Sequence, residues 1–189
     1  MKQFFLLVAV VFSVMAASAQ VKYGVKGGLN LSNVGGKDVE DNKMKIGFHV
    51  GGLAQIPVVG NISVQPELVL SAQGAKFEAD GDDGKLNFLY VNVPVMAKYT
   101  FDEGFFAETG PQIGFLASAK AKQGSESSNV KENYKTTDFS WGIGVGYLSK
   151  SNIGANARFN FGLSKLDKDG ETKMYNRTFQ VGLVYIFGE

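Results

Sequence analysis

The chain has no cysteine, which excludes a disulfide framework and thiolate chemistry. A single histidine leaves little for transition-metal ligation. Only four prolines interrupt 189 residues, so the backbone is free to run in long hydrogen-bonded segments. Charge of one sign is also missing. Lysine and arginine number 19 against 18 acidic residues, and this balance gives no electrostatic case for nucleic acid. Beyond the first 20 residues there is no apolar run of the roughly 20 residues that a spanning helix needs.

That first stretch has its own logic. Lys2 supplies a positive start, Phe4 to Val14 an apolar run, and Ala17-Ser18-Ala19 a small-residue cleavage pattern. Residues 1–19 are therefore expected to be a cleaved secretory signal peptide, with residues 20–189 forming one domain. An N-terminal anchor fits less well, because the run is too short to span a bilayer.

What the mature part holds is alternation. In the last strand, Phe179, Val181, Leu183, Tyr185 and Phe187 share one face, and Gln180 and Gly182 the other. Strands are expected near 21–32, 44–56, 61–77, 86–100, 105–119, 137–148, 153–164 and 178–187. Long polar loops, chiefly Asn33 to Lys43 and Lys120 to Thr136, alternate with tight turns at 57–60, 102–104 and 149–152. Pro94 lacks a ladder donor, and a bulge or irregularity is expected there. The fold class read from this pattern is all-β: an eight-stranded antiparallel up-and-down transmembrane β-barrel.

A soluble barrel of lipocalin type alternates too, and volume decides between the two. The apolar face carries Tyr23, Phe48, Tyr99, Phe105, Phe115, Phe139, Trp141, Tyr147, Phe159, Phe161, Phe179, Tyr185 and Phe187. So many rings exceed what an eight-stranded interior can hold. The opposite face mixes glycine with polar and charged residues, which suits a crowded lumen. The mid-strand apolar face has no charge, as a lipid-facing surface requires.

By parity, Glu67, Lys98, Glu108, Asp138 and Arg158 face inward, with Lys22, Lys26, Lys45 and His49. Buried charges must pair, so the first five are expected to form a structural lumen charge network. Glu67 and Arg158 lie half a barrel apart and are long enough to meet across it. No catalytic, cofactor-binding or metal residues are assigned. His49 turns away from any lipid substrate, and Gly142-Ile143-Gly144-Val145-Gly146 has neither the spacing nor the following helix of a dinucleotide fingerprint. Asp80-Gly81-Asp82-Asp83 and Asp167-Lys168-Asp169-Gly170-Glu171 resemble incomplete calcium loops.

Four pieces resemble the PorT-like outer-membrane beta-barrel family: Gln65-Pro66-Glu67-Leu68 with Ser71 to Lys76, Val91 to Tyr99, Glu108-Thr109-Gly110-Pro111, and Ala157 to Ser164. The resemblance implies an eight-stranded barrel with no assigned activity and no catalytic motif. Some relatives take part in secretion or gliding machinery. The expected role is structural or interactive, without catalysis, and the alternative is a small transporter or channel. Expected partners are outer-membrane lipid, the barrel-assembly machinery, for which Phe187 resembles the terminal signal, and an unidentified protein; the barrel is expected to be monomeric. Protein extracted from the bacterial outer membrane should begin at Gln20, and recovery as a soluble periplasmic protein without detergent would overturn this reading.

Overall fold

The computed structural model describes residues 21–36, 43–79, 82–123, 126–167 and 174–187. Residues 1–19, expected to be a signal segment, and residues 168–171 of the second acidic loop lie outside the described residues, as do Asp80 and Gly81 of the first. Nine strands run through the described residues: β1 Lys22–Gly36, β2 Lys43–Val59, β3 Ile62–Ala79, β4 Asp82–Thr100, β5 Phe105–Gln123, β6 Glu126–Asn129, β7 Thr137–Leu148, β8 Ile153–Gly162 and β9 Met174–Ile186. Eight of them close into one antiparallel ring, β1-β2-β3-β4-β5-β7-β8-β9 and back to β1. The short β6 pairs with β5 alone, above the ring.

Closure follows from the solvent. Hydrocarbon offers no hydrogen bonds, so a sheet that crosses it must leave no edge. The seam between β1 and β9 runs in unbroken register from Gly24 opposite Ile186 to Gly36 opposite Met174. Glycine makes that seam possible: Gly28 faces Gly182 across it, and a Cβ on Gly28 would strike the backbone at Val181 and Gly182.

Alternation then sorts the side chains. Leu29, Phe48, Leu68, Val145, Phe159 and Leu183 are exposed on the outer wall, while Asn30, His49, Glu67, Arg158 and Gln180 are buried inside. Ring pairs gather where the wall meets the periplasmic interface: Tyr99 with Phe101 at 4.8 Å, Phe105 with Tyr147 at 5.0 Å, and Tyr185 with Phe187 at 5.4 Å. Trp141 keeps its polar edge satisfied on the lipid face, donating from Nε1 to Thr109 Oγ1 at 2.9 Å. Thr109 in turn donates to the Gly142 carbonyl.

The lumen is layered. An apolar cluster of Leu53, Val184 and Ile186, with Leu148 packed against it, fills the periplasmic end. A second, of Val34, Ala75, Phe88, Tyr90, Leu116, Ala119 and Leu166, fills the extracellular end. Polar and charged side chains occupy the middle.

Two expectations need correction, and a third is met on one side only. The β4–β5 register passes smoothly through Pro94 opposite Gln112, and the irregularity falls between Leu89 and Tyr90, where β5 carries one extra residue. Toward β3 the ladder skips Val93 and Pro94, between the pairs Pro66–Val95 and Val69–Asn92, so the expected irregularity lies on that side, with the proline buried in the lumen. The segment Lys120 to Thr136 is not one loop: β5 continues to Gln123, β6 folds back on it, and a 3-10 turn at Lys131–Asn133 follows. In the acidic segment, Asp82 to Gly84 belong to β4, paired with β3 from Ala79 opposite Asp82.

The seam can be tested with two glycines. Gly28→Leu should abolish the heat-modifiable folded band on gels, because the obstructing atoms are backbone. Gly52→Ala should fold normally, since the nearest atom to its added carbon is 3.8 Å away. Equal folding of both variants would remove glycine from the closure argument.

Candidate functional site

Arg158 enters the lumen from β8, where its cross-strand neighbours are Gly144 on β7 and Gln180 on β9. The glycine leaves space beside the long side chain. Its guanidinium then crosses the barrel to β3 and grips Glu67 in a two-pronged pair, Nη1 to Oε2 at 2.9 Å and Nη2 to Oε1 at 2.7 Å. This planar fork is the strongest geometry available to the pair. The Nε donates at 2.8 Å to Glu108 on β5, so one arginine holds two carboxylates.

The remaining acceptors are met from other strands. Lys26 on β1 reaches Glu67 Oε2 at 3.2 Å, and Gln65 donates to Glu67 Oε1 at 2.8 Å. Lys98 is in register opposite Glu108, and its amine lies 3.7 Å from the centre of the Phe106 ring. Lys26, Glu67, Lys98, Glu108 and Arg158 are each less than 5% exposed. Burial at that depth is tolerable because every carboxylate has a cation.

A neutral layer lies beside this one. Asn30 donates to Ser71 Oγ at 2.9 Å, and its Oδ1 accepts from Gln180 at 3.0 Å and from His49 Nδ1 at 2.8 Å. His49 therefore carries its proton on Nδ1, and at 2% exposure it has no contact with the outer lipid face.

Of the five residues expected in the network, the structure brings Glu67, Glu108 and Arg158 into direct contact and sets Lys98 at their side. Asp138 does not join them. It sits nearer the extracellular end and accepts from the Ser164 hydroxyl at 2.7 Å. Lys26 belongs to the network in its place, and parity had already turned it inward. Phe88 and Phe106 were missing from the expected interior, although the same even-numbered parity points to them.

A filled lumen in a closed eight-stranded wall is the geometry of small outer-membrane barrels, and the comparisons agree. The family model described as outer membrane protein beta-barrel domain matches residues 15–168. The chain belongs to that family. Its outer membrane beta-barrel domain is similar in fold to Ail, the attachment invasion locus protein of Yersinia pestis, solved with the heparin analogue sucrose octasulfate. Identity there is 20%, with 88% of this chain and 99% of that one covered at a TM-score of 0.54. Neisserial surface protein A is 15% identical over 87% of this chain and 97% of its own, also at 0.54. Ail in a phospholipid bilayer nanodisc gives 17%, 89% and 100%, at 0.52. No curated protein matches the sequence.

Arg158→Met should lower unfolding stability in detergent by about 3–5 kcal/mol, the usual result of leaving buried carboxylates unpaired. Glu67→Gln should cost less, because Gln keeps the shape and part of the hydrogen bonding. An Arg158→Met barrel with an unchanged urea midpoint would mean that water reaches these groups.

Proposed function

We propose that this barrel is a non-conducting outer-membrane protein with a structural or interaction role, offering extracellular loops or periplasmic turns to a partner and catalysing no reaction. One observation carries the reading: the charge network is sandwiched between apolar clusters at both ends of the lumen. Ions entering from either side would meet hydrocarbon first and a paired arginine next.

A pore would find its room beside the inward glycines of β7, Gly142, Gly144 and Gly146. Side chains occupy the space beside each of them. A Cβ on Gly142 would come within 3.2 Å of Met96 and one on Gly144 within 2.9 Å of Glu108, while Phe106 covers Gly146. Catalysis has little to work with either, since the buried carboxylates of the network are held by cations and His49 is enclosed by the wall.

The most built-up part of the extracellular rim favours a binding role. There Asn129, Lys131, Glu132, Tyr134, Lys135 and Phe139 line an open groove of about 780 Å³. Within the family, the ordered pieces that resemble PorT-like members support reading the chain as one of that branch. Export through cleavage before Gln20, insertion by the barrel-assembly machinery and a monomer in outer-membrane lipid belong to the same proposal. Protein in planar bilayers should show no steady open-channel conductance. Reproducible single-channel steps that vanish on a bulky substitution at Gly144 would favour the transporter or channel reading.

A further inference from the structure

Between the neutral layer and the extracellular apolar cluster, Asp138, Ser140, Asn160, Asn176, Thr178 and Gln112 help to enclose a cavity of about 10 Å³. That is room for a single water-sized occupant. Three side-chain oxygens of the wall are left over. Asn160 Oδ1, Asn176 Oδ1 and Thr178 Oγ1 are buried with no hydrogen-bond partner, on residues 5%, 6% and 2% exposed. Neither amide can be turned to offer nitrogen without loss, because Asn160 Nδ2 donates to Gln180 at 3.1 Å and Asn176 Nδ2 donates to Gln73 Oε1.

Asp138 adds a carboxylate to these oxygens. The groups holding it, the Ser164 hydroxyl and the Asn176 side chain, are both neutral. Lys45 turns its amine to the Gln73 carbonyl at 3.1 Å instead. A water can donate to the two amide oxygens and accept from the Thr178 hydroxyl, but it leaves the buried carboxylate without a counter-charge. A cation attracts all of them together.

We propose that this cavity binds one sodium-sized monovalent cation, with Asp138 as its counter-charge and the side-chain oxygens of Asn160, Asn176 and Thr178 as neutral ligands. A single carboxylate matches a single positive charge. A divalent ion would leave a net charge enclosed without water, which is strongly unfavourable, and calcium sites draw their affinity from several carboxylates. The site is independent of the partner-binding role and of the Arg158 network.

The test compares urea unfolding of the purified barrel in sodium chloride and in choline chloride at equal ionic strength. Sodium should raise the midpoint and saturate, as a ligand of the folded state does. Asp138→Asn should erase the difference. Thr178→Val, close in shape, should fold and raise the sodium concentration for half the effect by about tenfold, the loss of one ordinary ligand. If Asp138→Asn does not fold, the wild-type titration and Thr178→Val decide, with ²³Na line broadening as a second readout. Equal midpoints in sodium and choline would overturn the proposal in favour of a water or a protonated Asp138. A sodium effect that survives Asp138→Asn would place the ion elsewhere, and calcium exceeding sodium would exclude a monovalent site.

Discussion

Every backbone donor and acceptor in the hydrocarbon must find its partner within the protein, and the hydrogen-bonded seam between β1 and β9 is where that demand is met last. With it closed, eight strands fix a narrow interior. Narrowness then dictates the composition of both faces: rings and branched chains go to the lipid, and glycine goes wherever a neighbouring long side chain needs room. Gly144 shows the coupling well. It is paired with Glu108 on one side and Arg158 on the other, so the absence of a side chain there is a condition for the ion pair beside it.

The lumen inverts the usual relation between polarity and water. Its polar residues are the dry ones, and their charges are stabilised by one another rather than by solvent. Arg158 is suited to the centre because its planar guanidinium serves two carboxylates from different strands, as a lysine point charge would not. Apolar clusters at the two ends then keep water from competing. Strands β1, β3, β5 and β8 all contribute to this one cluster, so the wall is tied across its diameter as well as around its circumference.

Most of this was readable from a period of two. Side-chain direction is the most strongly specified property of a strand with one buried face, which is why the Glu67–Arg158 meeting could be expected from parity and height. Asp138 was assigned to the same cluster because parity gives direction without depth; its real height depends on stagger between strands. The bulge at Leu89 and Tyr90 escaped notice for a related reason. It is set by how two ladders accommodate twist, whereas Pro94 announces a missing donor, and the β3–β4 pairing lapses beside it. β6 was hidden because Glu126-Ser127-Ser128-Asn129 is polar throughout and pairs above the membrane, where no apolar face is needed. Phe88 and Phe106 were overlooked because an aromatic residue in a barrel strand suggests lipid, yet a lumen open at neither end also needs bulk.

The strands are unequal in height. β4 and β5 each run for 19 residues, against 12 for β7 and 10 for β8, a difference that makes the two strand pairs unequal in height by roughly 16–25 Å at the usual rise and tilt. Viewed from outside the cell, the barrel is therefore a parapet on one side and a low sill on the other. A cylinder that spans the bilayer without preference for direction thus acquires a front and a back.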